Sequence, residues 1–114
     1  MDGNVPISIF PRWNFLLYGV SQLVNHLDKF KVMSGNKLKP KMIIRTGVGS
    51  KRPLHPQFQH IGDFSDAIQK MCTSIEVVKL KEPRDIYQSY KKAYERKDGK
   101  NTILVEYGDF YNEK

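Results

Sequence analysis

The chain has 114 residues, 39% of them hydrophobic, and a formal net charge of +7, which fits one small domain with a modest core. No apolar run approaches the roughly 20 residues needed to span a bilayer, and MDGNVPISIF lacks the basic start and long apolar stretch of a signal peptide. A single cysteine, Cys72, excludes an internal disulfide and a cysteine-based zinc site, so a cytoplasmic protein is the economical reading.

Val5–Phe10 opens the pattern as a short run rich in β-branched residues, ended by Pro11. Asn14 can cap a helix through Lys29 whose Leu16, Val20, Leu23, Val24 and Leu27 recur at spacings of three and four, one buried stripe. Gly35, Asn36 and Pro40 mark a polar turn, after which Met42–Thr46 reads as a fully buried strand. Asp63 or Ser65 can start a second helix with Phe64, Ala67, Ile68 and Met71 on one side. Ile75–Leu80 is the next strand, and Pro83 suits the first turn of a third helix carrying Ile86, Tyr90, Ala93 and Tyr94. Asp98-Gly99 breaks that helix, and Thr102–Glu106 is the last strand.

The resulting order is β-α-β-α-β-α-β. Short apolar strands between amphipathic helices imply an α/β fold with a parallel sheet of about four strands covered on both faces. Right-handed crossovers put every strand-to-helix loop at one edge of the sheet, where α/β proteins bind ligands. Those loops are Pro11–Trp13, Gly47–Gly62 and Lys81–Glu82. The middle one far exceeds the two to six residues usual in α/β units, which favours a functional purpose.

Known phosphate loops do not describe it. Gly47-Val48-Gly49-Ser50-Lys51 meets Arg52-Pro53 and does not open into a helix, and position 52 is not the glycine of a dinucleotide fingerprint. His55 and His60 lie five apart in a proline-broken loop without a nearby acidic ligand, a poor metal pair. His26 reads as an exposed helix residue and Cys72 as core. The basic clusters Lys29–Lys41, Lys51–Arg52, Lys79–Lys81 and Lys91–Lys100 are spread along the chain and interleaved with Glu76, Glu82, Asp85, Glu95 and Asp98. That pattern suits solvated faces better than one binding stripe.

Asn14-Phe15, Ser21-Gln22-Leu23-Val24-Asn25, Met33-Ser34-Gly35, Arg45 at a strand end and Gln59-His60 occur in a telling order. This set, over about residues 5–107, resembles the pyrimidine-binding domain of transketolase-like thiamine diphosphate enzymes, nearest the beta subunits of 2-oxoacid dehydrogenases such as pyruvate dehydrogenase. The resemblance implies that Phe15 lies against the aminopyrimidine ring of thiamine diphosphate and that Pro11 contacts the same region. It also implies that His60 faces the reaction centre, where an imidazole can exchange protons near neutrality. The cofactor itself supplies the electron sink.

The chain departs from the family pattern in two respects. The glutamate that activates the aminopyrimidine belongs upstream of the Val5 strand, and the diphosphate motif Gly-Asp-Gly with a later Asn is missing, since Gly108-Asp109-Phe110 lacks the third glycine. The expectation is therefore one N-terminally truncated domain over 1–114, with a short tail at 108–114. It would not turn over substrate alone; a thiamine-diphosphate-binding alpha-like subunit or domain, in an oligomer, would complete it and carry the magnesium. Phe10 with Trp13 read as core or interface, with interface slightly favoured, and Tyr107, Phe110 and Tyr111 are expected to pack against a missing segment. The rival readings are a non-catalytic interaction domain of the same fold whose basic surface meets an acidic partner, and, least favoured, a nucleic-acid module using Lys51-Arg52.

Overall fold

The computed structural model describes residues 5–35, 41–49 and 62–107. They form strand β1 (Ile7–Ile9), helix α1 (Trp13–Leu16), a 3₁₀ turn (Leu17–Gly19), a π-helical segment (Gln22–Leu27) and helix α2 (Phe30–Met33). Strand β2 (Ile43–Val48), helix α3 (Ser65–Met71), strand β3 (Ile75–Leu80), helix α4 (Asp85–Tyr94) and strand β4 (Asn101–Tyr107) follow. The strands make one four-stranded sheet in the order β1-β2-β4-β3. Every neighbouring pair is parallel, with Ile7 opposite Ile43 and Ile103 opposite both Ile44 and Val77.

Alternation along the strands divides the core in two. Ile44, Ile103 and Val105 point to one face and pack with Trp13, Leu16, Leu23, Ile68 and Cys72. Ile43, Leu80 and Leu104 point to the other and pack with Ala93 of α4. The topology explains the partition. The connections β1 to β2 and β2 to β3 step across the sheet in the same direction and share a face. The connection β3 to β4 steps back, so a uniform crossover hand sends α4 to the opposite face. β4 is consequently covered on every side: Ile103, Leu104 and Val105 are all 0% exposed. Each such side chain contributes roughly 1.5–3 kcal/mol of burial, which is why this run tolerates no polar alternation.

The segment expected as one helix, 14–29, is not uniform. Arg12 occupies the N-cap position without a side-chain hydrogen bond, so Asn14 does not cap. Gly19, Val20, Ser21, Val24, Asn25 and His26 are all modest helix formers. Tertiary packing of Leu16 and Leu23 therefore dictates the path, and the chain widens to the π form with Asp28 N–H bonding Leu23 C=O at 2.9 Å. The apolar stripe survives this, since Leu16 and Leu23 are buried while Val20, Val24 and Leu27 pack partly against the same cluster. Gly35, with φ +66°, ends α2 in the left-handed conformation that glycine adopts without strain.

Three expected burial assignments are corrected. Trp13 is core, 1% exposed, because positions 13 and 16 of α1 face the sheet together. Ala67 and Met71 are exposed, because α3 spans only seven residues and turns Ile68 inward with Ser65 and Cys72 on its flanks. Ile86 and Tyr94 are exposed as well, α4 meeting the sheet chiefly through Ala93 and the half-buried Tyr90. His26 is exposed and Cys72 buried, as read from the sequence.

Candidate functional site

Because all four strands run parallel, their carboxyl ends share one edge, and each sequence-predicted residue within the described part can be located against it. Exposed Pro11 follows β1 by one residue beyond Phe10. Phe15 stands on α1 and is 40% exposed, while Trp13 and Leu16 on the same four-residue helix are buried. One short turn thus anchors two side chains and turns the third ring outward. Between β1 and the helical run is an apolar groove of about 290 Å³ walled by Phe10, Leu16, Leu23, Met42 and Ile44, which neither Phe15 nor Pro11 lines. Two buried polar atoms, Trp13 Nε1 and Thr46 Oγ1, find no hydrogen-bond partner among the described residues.

The long loop is described at its ends. Gly47 and Val48 continue β2, and Gly49 is buried. His55, Gln59 and His60 lie outside the described residues, as do Lys51-Arg52 and the tail 108–114. At Gly62 the chain is crowded: a Cβ there would come within 2.8 Å of the Phe64 ring, which packs against the core. Asp63 then fixes the loop's exit. Its carboxylate accepts from the Ser65 N–H at 3.0 Å, from the Ser65 hydroxyl, and from the Tyr107 hydroxyl at 2.8 Å. Burial pushes this carboxyl up, but the Ser65 and Tyr107 hydrogen bonds and the charge of Lys79 outweigh it and hold its pKa below the ordinary value. Burial, and then Asp63, push the Tyr107 phenol up. Tyr107 therefore belongs to β4 and to this clamp, which corrects its grouping with the tail.

On the α4 face of the same edge, Arg45 pairs with Glu106 through an ion-pair contact from Nε to Oε1 and a hydrogen bond from Nη2 to Oε2, each 2.9 Å. The Tyr90 hydroxyl donates to Oε1, also at 2.9 Å. Glu106 is 8% exposed, and its carboxylate ties β2, β4 and α4 together. The sequence reading had Arg45 as a strand-end marker. It missed Glu106 and Tyr90, since partners 61 and 16 residues apart are joined by topology alone.

No family model matches the chain and no curated protein is similar to it.

No group of three or more His, Cys, Asp or Glu placed to hold a metal ion occurs among the described residues, and no helix among them is long and apolar enough to cross a membrane.

Proposed function

We propose that this chain is the pyrimidine-binding portion of a thiamine diphosphate-dependent enzyme of the 2-oxoacid dehydrogenase beta-subunit or transketolase kind, completed by a second chain or segment. The observation that carries the reading is Phe15, an aromatic ring turned outward at the carboxyl end of the first strand of an all-parallel sheet. Phe15 and Pro11 hold and orient the aminopyrimidine by apolar contact. His60 moves a proton at the reacting substrate, and the Asp63–Tyr107 clamp fixes the chain three residues beyond it. The bound cofactor supplies carbanion stabilisation. The activating glutamate and the diphosphate and magnesium ligands come from outside these 114 residues.

Saturation-transfer NMR tests the aromatic contact directly, using 4-amino-2-methylpyrimidine as probe and the chain mixed with the alpha subunit of a 2-oxoacid dehydrogenase. Transfer to the probe that Phe15→Ala abolishes and Tyr18→Ala leaves intact supports the reading. Equal transfer in all three proteins overturns it.

A further inference from the structure

Lysines that the sequence scatters are gathered by the fold at the end of the sheet away from the loop edge. The C-terminal half of α4 and the turn after it line an open groove of about 500 Å³ that includes Lys91, Lys92, Lys97, Glu95 and Arg96. Lys31 reaches this turn from α2, its ammonium donating to the Asp98 carbonyl at 3.2 Å. Lys41 comes in ahead of β2 and sets its ammonium 5.5 Å from the centre of the Tyr94 ring. Lys100 follows the turn, exposed. Arg96 is engaged by Glu76 and Asp98, each at 3.0 Å, which removes those two carboxylates from the lysines' reach. Lysine charge is therefore in excess at this end.

A second feature overlaps it. Tyr87, Lys91 and Tyr94 are spaced four and three residues apart on α4, hence stacked along one stripe of the helix. Tyr87 is 73% exposed and Tyr94 is 59% exposed. Two outward rings roughly 10 Å apart along the axis, given the rise of 1.5 Å per residue, flank an ammonium and border a second one. Burying so many strongly hydrated lysines against protein is unfavourable, and lysine is depleted from protein interfaces. Phosphates meet an ammonium as a point charge without that demand, and an exposed phenol offers its face to any unstacked base. A duplex would satisfy the lysines and leave the rings unused.

We infer that this end of the molecule binds single-stranded nucleic acid, lysines 31, 41, 91, 92 and 97 tracking the phosphates and Tyr87 and Tyr94 stacking bases. The surface is separate from the proposed cofactor edge, and either can fail without the other. Fluorescence anisotropy of a labelled oligothymidylate titrated with the full chain tests it. Five phosphate contacts should give a slope of log K against log salt of about −3.5, and Lys91→Gln/Lys92→Gln/Lys97→Gln should flatten it by about 2. Tyr94→Ala should weaken binding roughly tenfold, the scale of one stacked base, with Tyr18→Ala unchanged. Circular dichroism shows that each variant is folded. Absence of binding at low salt, a slope indifferent to the lysine changes, or equal competition by duplex DNA or poly-L-glutamate overturns the inference.

Discussion

Removing the Asp28 carboxylate should strongly destabilise this domain, although the residue touches no candidate site. Asp28 is 0% exposed and sits where the π-helical segment hands over to α2. One oxygen accepts the Ser74 N–H, and both take the Thr73 N–H at 2.9 and 3.0 Å. The Thr73 hydroxyl and Lys29 ammonium complete the set. Asp28→Ala takes the acceptor from two part-buried backbone donors, at about 1–3 kcal/mol each, so about 2–6 kcal/mol of a total that for such domains is about 5–15 kcal/mol. With a urea slope near ~1.5 kcal/mol/M, a loss of ~3 kcal/mol moves the midpoint down by about 2 M. Asp28→Asn keeps one acceptor and should fall between. Burial alone would raise this carboxyl's pKa, but the Lys29, Thr73 and Ser74 hydrogen bonds hold it below the ordinary value. A depressed folded pKa means the stabilisation is complete above the unfolded value of about 3.9 and disappears as pH falls through the folded one. The gap between wild type and Asp28→Asn should therefore narrow as the pH drops below about 4. A midpoint shift of Asp28→Ala under ~0.3 M with an unchanged slope, or a gap independent of pH, would refute the reasoning.

Trp13→Phe should lose at most about 1.5 kcal/mol in the same urea assay, because it removes an unmatched buried N–H along with some volume, whereas Trp13→Ala should lose about 3–5 kcal/mol. The Cys72 thiol, buried and pushed up to about 11 by burial and then by Asp28, should resist a chromogenic disulfide reagent at pH 8 until denaturant is added; rapid native reaction would contradict its placement. In a reconstituted complex, His60→Ala should lower turnover roughly a hundredfold while His55→Ala leaves it near wild type. Equal losses would make the loop scaffolding.

Strand order aside, the sheet was readable from local pattern: Ile75–Leu80 is read and observed with the same ends, since buried Ile75 and Leu80 bracket the β-branched pair Val77-Val78. The 14–29 segment was less readable because its apolar period survives a switch from α to π geometry that only Leu16 and Leu23, packing on the sheet, impose. Trp13 could not be assigned from composition, because an aromatic before a helix looks the same whether it turns toward the sheet or away. The Arg45–Glu106–Tyr90 tie and the gathered lysines escaped for one reason. Each joins residues far apart in sequence, and parallel topology brings them together without leaving a local motif. Phe15 is proposed as a site residue only through the chain's resemblance to a family; its 40% exposure is what the fold adds.

Isothermal titration of thiamine diphosphate with magnesium tests the central proposal most directly. The titrant goes into this chain, into the alpha subunit of a 2-oxoacid dehydrogenase, and into their mixture. Micromolar binding should appear in the mixture alone, and Phe15→Ala should weaken it at least tenfold. Binding by the alpha subunit that is the same with and without this chain, or the same with Phe15→Ala, would contradict the account.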